Sequence, residues 1–316
     1  MAYPTNPKLL SLLDIEHPII LAPMFLVSNV KMITEALDAG ITGAIPALNY
    51  RTDKEFREAI SSIKKMSSKP FGINLIVNKS NVKYKEQLHT CLDLGVDYVI
   101  TSLGSPKECI EEGRKQGMKV FCDVTNEKYA QKVSDLGADA LIAVSKEAGG
   151  HAGKLAGEAL IPLLKEKFDI PVISAGGVGN RAEFQNRLSL GADGCSIGSI
   201  FIATNESDVS TEYKQACVDY GAKDIVFTTR ISGTPCTVIN TPYVKEIGTK
   251  PSTLEKMMHR YKPLKKWIKL LIAYQGMKAV QKSAFQATYK TVWCAGPSIE
   301  HVHTIRDVKE VVKELV

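Results

Sequence analysis

LGADALIAVSKEAGGHAGKLAG, residues 136–157, contains one full turn of the pattern that organises the chain. Gly137 ends a helix, and the turn through Asp139 feeds an apolar run of strand type, Leu141 to Val144. Helical spacing resumes from Leu155 to Phe168, so residues 147–153 connect a strand to a helix. In a barrel of alternating strands and helices, such a connection lies on the face where ligands bind. Gly149, Gly150 and Gly153 allow sharp turns and close approach of backbone to a flat ligand. His151 is the side chain in this loop able to move protons near neutral pH, which makes it the candidate base.

Working outward, the entrance signal recurs as LGVD at 94–97 and LGAD at 190–193. Apolar runs at 18–24, 42–47, 71–77, 98–103, 119–124, 140–145, 171–176 and 194–199 give eight strands. Helices follow them from Val30, Asp53, about Asn81, Ser105, Asn126, Leu155, Asn180 and near Asp208. Eight parallel strands with crossover helices predict an α/β fold, a (β/α)8 TIM barrel, with a doubly wound open sheet as the alternative. From Ser232 the sequence turns rich in turn residues and then in lysine, so residues 232–290 are expected to form a helical C-terminal appendage. TVWCAG at 291–296 then returns to the barrel, and residues 304–316 read as a last amphipathic helix. The barrel is therefore assigned to residues 1–231, completed by 291–316.

With 44% hydrophobic and 23% charged residues, the chain has the composition of a compact enzyme. Neither a membrane-spanning stretch nor a signal peptide is indicated, and a cytoplasmic location is expected. The seven scattered cysteines lack any CxxC pair, which argues against a disulfide framework or a metal site. The net charge of +6 is concentrated late in the chain and gives no ground for nucleic acid binding.

The rim offers a second set of candidates. Ala175, Gly176 and Gly177 follow the seventh strand, while Gly198 and Ser199 close the eighth, where barrels of this kind often bind a phosphate through backbone N–H groups. Across the mouth stand Ala22, Pro23 and Met24, with Asn74 a polar residue inside an apolar strand. An aromatic cofactor with a phosphate tail fits that layout.

EAGGHAG at 147–153, with the Ala22-Pro23-Met24 turn, FGINL at 71–75, ISAGGV at 173–178 and SIGSIF at 196–201, resembles the nitronate monooxygenase family. That family was formerly called the 2-nitropropane dioxygenases, and its relatives are the flavin-dependent enoyl-ACP reductases. The resemblance spans most of the chain and implies FMN in a TIM barrel. The phosphate would lie near Gly176, Gly177, Gly198 and Ser199, and the isoalloxazine beside Met24 and Asn74; Ala22, Pro23, Gly150 and Ala175 complete the expected cofactor contacts. It also implies His151 as the base that deprotonates a neutral nitroalkane, with a nitronate or nitroalkane and dioxygen as reactants. One departure is Cys294-Ala295-Gly296-Pro297, where the family often has glutamine after Ala-Gly.

Two other readings stand beside this one. An FMN-dependent enoyl-ACP or enoyl-CoA reductase would take hydride from NAD(P)H, and the basic residues Lys256, Arg260, Lys262, Lys265, Lys266, Lys269, Lys278 and Lys282 would dock an acidic acyl carrier protein. A barrel that binds FMN or another phosphate ligand without turnover is the other. Homodimer formation stays open in all three.

Overall fold

The computed structural model describes residues 3–79, 81–229, 235–250 and 292–316. The basic residues expected to dock a carrier protein, and the boundaries drawn at 231/232 and 290/291, lie outside those residues.

Eight parallel strands close a barrel: β1 (Ile19–Leu21), β2 (Thr42–Pro46), β3 (Gly72–Ile76), β4 (Tyr98–Ser102), β5 (Lys119–Val124), β6 (Ala140–Val144), β8 (Val172–Ala175) and β9 (Gly194–Ile197). Pairing of Ile19 with Cys195 and of Leu21 with Ile197 joins the last of these to the first. The TIM barrel expected from the repeats is thus present. Its strands read as nearly continuous apolar runs because both faces are covered, as parallel sheets require.

Side chains of successive residues point inward and outward in turn. Ile20, Ala44, Tyr98, Ile100, Phe121, Ala140, Ile142 and Ile173 fill the interior, and Leu9 and Leu13 of α1 (Lys8–Leu13) close its lower end. Tyr98 stacks on Phe121 with ring centroids 4.8 Å apart. A Cβ at Gly72 would lie 2.2 Å from the Tyr98 ring, so glycine there is what admits the tyrosine. The lower barrel is solid, and the open end is the one carrying the βα loops. Outward residues such as Leu21, Ile45, Leu75, Val99, Val172 and Ile197 pack under the surrounding helices.

The LGxD repeats do more than end helices. Gly95, Gly137 and Gly191 have φ of 59°, 89° and 99°, a conformation glycine adopts without Cβ strain. The aspartates two residues on then tie neighbouring strands together at their lower ends. Asp97 accepts from Phe71 N at 3.1 Å, Asp139 from Val120 N at 2.7 Å and Asp193 from Val172 N at 2.9 Å. Each carboxylate satisfies a strand N–H beyond the reach of the barrel's own ladder.

The helices around the barrel are α2 (Val30–Asp38), α3 (Asp53–Met66), α4 (Tyr84–Asp93), α5 (Lys107–Gln116), α6 (Glu127–Asp135), α7 (Gly157–Lys167), α8 (Arg181–Ser189) and α9 (Thr211–Asp219). The helix expected near Asp208 starts at Thr211 because Ser210 caps it, its side chain accepting from Tyr213 N.

One element departs from the expected layout. β7 (Gly150–His151), β10 (Ile225–Thr228) and β11 (Cys236–Ile239) form a three-stranded antiparallel sheet in the order β10-β11-β7. The stretch expected as a helical appendage therefore begins with a strand, built on the β-branched run Thr237-Val238-Ile239, and the short helix α10 (Pro242–Ile247) comes after it. Val292, Trp293 and Ala295 are buried, with Trp293 stacked on Tyr213 and its carbonyl accepting from Ile239 N at 2.9 Å. The last helix, α11 (Val308–Leu315), buries Val308, Val311, Val312 and Leu315 and packs on α2 and α8. Among the described residues no helix is long and apolar enough to cross a membrane.

Candidate active site

The turn after β1 is rigid. Ala22 N donates to Ile197 O at 2.8 Å, and Ser28 Oγ both donates to Ala22 O and accepts from Met24 N, each at 2.9 Å. Leu26 takes a left-handed φ of 58°, and its N–H is held by Asn49 Oδ1 at 2.8 Å. These bonds set Met24 against Gly198: its Sδ is 3.2 Å from where a Cβ would stand. Gly198 thus permits the first and eighth barrel strands to deliver their loops to one place.

Asn74, Ser102 and Asp123 are the inward-facing residues near the upper ends of β3, β4 and β5, continuing the inward series of Gly72, Tyr98-Ile100 and Phe121. Asn74 Nδ2 donates to Ile100 O at 3.0 Å and to Ser102 Oγ at 2.8 Å, and Ser102 Oγ donates to Asp123 Oδ2 at 2.5 Å. A carbonyl can only accept, so the amide nitrogen of Asn74 must face Ile100. Both amide hydrogens are then spent on the wall. What Asn74 offers a ligand is its carbonyl oxygen, an acceptor for an N–H edge such as that of a flavin's pyrimidine ring.

Asp123 keeps some accessible surface at the mouth, but burial pushes its pKa up to about 6, against a smaller downward pull from the Ser102 hydroxyl. A carboxyl raised from 3.8 in this way costs the fold stability as pH climbs through that interval, and the full cost persists above pH 6. Asp123→Asn in the ligand-free protein is therefore expected to gain about 1–2 kcal/mol, after allowance for solvent screening, in denaturant titrations above pH 6, and to gain nothing near pH 4. An equal gain at both pH values would contradict this.

The histidine loop is fastened at its base and its tip. Ser145 N and Oγ both donate to Ala175 O at 3.0 Å, Gly153 N donates to Ser145 O at 3.0 Å, and Lys146 N to Leu155 O at 2.8 Å. Glu147 Oε2 accepts from Gly157 N at 3.1 Å, placing a carboxylate at the N-terminus of α7, where the helix dipole favours it. The glutamate of EAGGHAG is thereby committed to the scaffold. At the tip, His151 lies opposite Cys236 and Gly150 opposite Thr237, whose Oγ1 donates to Ala148 O at 2.8 Å. His151 is exposed, yet the protein around it displaces enough water to lower its pKa. It is a neutral imidazole at neutral pH.

The glycine turns meet this loop backbone to backbone. Gly176 and Gly177 have φ of 105° and 70°, and a Cβ on Gly176 would stand 2.4 Å from Ala148 N. Their N–H groups donate to no group among the described residues. Ser199 Oγ accepts from Gly296 N at 2.8 Å, which leaves the hydroxyl hydrogen to donate, and a Cβ on Gly149 would stand 2.8 Å from the same oxygen. Two free N–H donors and a hydroxyl donor make a cradle with the chemistry a phosphate needs. Gly150 serves differently, since a Cβ there meets nothing within 4 Å and only its φ of 74° calls for glycine. Pro297 begins a 3-10 helix, Pro297–His301, a position suited to a residue without an N–H.

The sequence candidates thus converge: Ala22 and Met24 on Gly198, Gly176 on the histidine loop, Gly149 on Ser199. Ser102, Asp123 and Thr237 were not foreseen. For Asp123 a signal existed, a carboxylate inside the apolar run KVFCDV.

A model described as Nitronate monooxygenase matches residues 6–89 and 78–316. The nitronate monooxygenase of Paraburkholderia phytofirmans is 28% identical over 271 residues, covering 71% of this chain and 74% of that protein. The (3aS,4S,5R,7aS)-5-hydroxy-7a-methyl-1-oxo-octahydro-1H-indene-4-carboxyl-CoA dehydrogenase of Mycobacterium tuberculosis is 30% identical over 242 residues, 76% of this chain and 67% of that one. Among solved structures, FabK from Thermotoga maritima superposes with a TM-score of 0.85 at 27% identity, over 98% of this chain and 95% of its own.

Proposed function

The chain belongs to the nitronate monooxygenase family, a family of oxidoreductases, and from that premise we propose that it oxidises alkyl nitronates or nitroalkanes with FMN and dioxygen, His151 acting as the base. The observation that carries this reading is the placement of a neutral histidine on β7, beside a glycine-built cradle and an apolar-and-polar platform. In it Gly176, Gly177 and Ser199 would hold the phosphate of FMN, with Ala175 and Gly198 shaping the cradle. Ala22, Pro23, Met24 and Gly150 would hold the ring, with the Asn74 carbonyl oxygen available to accept from it. FMN, when bound, supplies the two-electron acceptor that passes electrons on to dioxygen.

The chain's own residues handle position and protons. Neutral His151 takes the proton from the carbon next to the nitro group, and the resulting imidazolium holds the nitronate by charge. With a nitronate as substrate no proton is removed, and the imidazole only positions the anion. Thr237 fixes the peptide of Ala148, and with it the course of the loop that carries His151. Because its pKa is lowered from 6.5, His151 is protonated, and the base lost, only as pH falls below that value. Oxygen uptake with a neutral nitroalkane is expected to hold steady down to pH 6.5 and fall below it, whereas uptake with the nitronate lacks that limb. Identical pH profiles for the two substrates would remove His151 from the proton step.

A second reading is favoured by the likeness to FabK over 98% of the chain: an FMN-dependent enoyl-thioester reductase that takes hydride from NAD(P)H. The two differ in what reduces the flavin, which is directly measurable.

A further inference from the structure

Asp123 is the one carboxyl group among the inward-facing residues of the eight barrel strands, and nothing in the proposed chemistry yet uses it. Its surroundings are specific. Ser102 on β4 hydrogen-bonds it, Asn74 on β3 lies one link further, and β6 presents the apolar Ile142 and Val144 on the other side. No charged group acts on it among the described residues. A carboxylate that is enclosed, hydrogen-bonded to one hydroxyl and not neutralised by a cation costs stability, which is the usual mark of a functional group rather than a structural one.

We propose that Asp123 is the proton store of the flavin site, taking up one proton when the bound flavin is reduced and releasing it on reoxidation. This rests on the flavin reading above. Reduction of a bound flavin by two electrons and one proton would leave it one unit more negative, and with Asn74 holding it that charge would disfavour a second one on Asp123, two hydrogen bonds away. Asp123 then binds a further proton from solvent at the mouth, so two electrons enter with two protons, one on the ring and one on the carboxyl group. Burial has already brought the carboxyl close to that point, its pKa standing at about 6 before any charge is added. Once protonated, Asp123 can donate to Ser102 Oγ, which frees the Ser102 hydrogen to turn towards the mouth and meet the anionic ring. Reoxidation reverses each of these steps.

The test is the reduction potential of bound FMN against pH, from neutral to mildly alkaline, in the reconstituted wild type and in Asp123→Asn. The wild type is expected to show the slope of two protons per two electrons, and the variant half that slope. Should the variant fail to hold FMN, the wild type alone decides: its reduced-minus-oxidised infrared difference spectrum gains a protonated carboxyl C=O band. Equal slopes in the two proteins, or no carboxyl band in the wild type, overturn the proposal while leaving the flavin reading intact. A wild type that retains no FMN overturns both, and its visible spectrum reports this before any potential is measured.

Discussion

Replacing His151 by alanine is expected to lower kcat/KM for a neutral nitroalkane by about 10²- to 10⁴-fold, the range spanned by a positioned general base. FMN content should be unchanged, and turnover of the preformed nitronate should fall far less. The contrast follows from where the residue sits. Its backbone is one rung of the β7–β11 pairing, which alanine preserves, while its side chain is absent from the hydrogen bonds of the Asn74 wall and from the close contacts of Gly176, Gly177 and Gly198. The neighbouring hydrogen bonds, Ser145 to Ala175 and Thr237 to Ala148, do not involve the imidazole and remain available in the variant. Nitroalkane oxidation at the wild-type rate in the alanine variant would remove His151 from the chemistry. Loss of FMN from that variant would instead assign the side chain to cofactor binding.

Gly176→Ala is expected to have the largest effect on the fold of the site. At φ of 105° an alanine is strained whatever space surrounds it, and its Cβ would press on Ala148 N at 2.4 Å and Ser145 Oγ at 2.7 Å. Backbone strain of about 1–3 kcal/mol and a similar overpacking cost combine to about 2–6 kcal/mol. Because the obstructing atoms belong to the histidine loop, relief of the clash moves the loop and the N–H donors of the cradle together. FMN affinity should therefore weaken by about 100-fold, a loss of about 3 kcal/mol, with a fall in melting temperature. Gly117→Ala is the control: this residue ends α5 away from the site with φ of 75°, and a Cβ there meets nothing within 4 Å, so only the left-handed conformation is penalised, by about 1–2 kcal/mol. Comparable losses of FMN affinity in both variants would show that strain, not the contact with Ala148, governs the cradle.

The barrel was legible because its signals are local. Each strand is an apolar run bounded by turn residues, and LGxD marks three of the entrances, where Gly95, Gly137 and Gly191 need a left-handed turn and Asp97, Asp139 and Asp193 hold the adjacent strands. The candidate site was legible where glycines and a lone histidine share one loop. What escaped depends on distant pairing. β7 is two residues long, and its partner strand begins at Cys236, so no window of sequence contains both. Asp123 and Ser102 matter because they face the barrel axis, and alternation in a short apolar run does not say which parity points inward until Tyr98 and Phe121 are seen stacked there. Glu147 accepts from Gly157 N at the start of α7, a tie across ten residues that no local pattern in EAGGHAG announces.

The most direct test of the proposed chemistry follows the flavin absorbance of the FMN-reconstituted protein without oxygen. An alkyl nitronate is added to one sample and NADH or NADPH to others. Bleaching by the nitronate, restored by air, with no response to either nucleotide is the expected result. Rapid bleaching by a nucleotide and none by the nitronate would contradict it and assign the site to enoyl-thioester reduction.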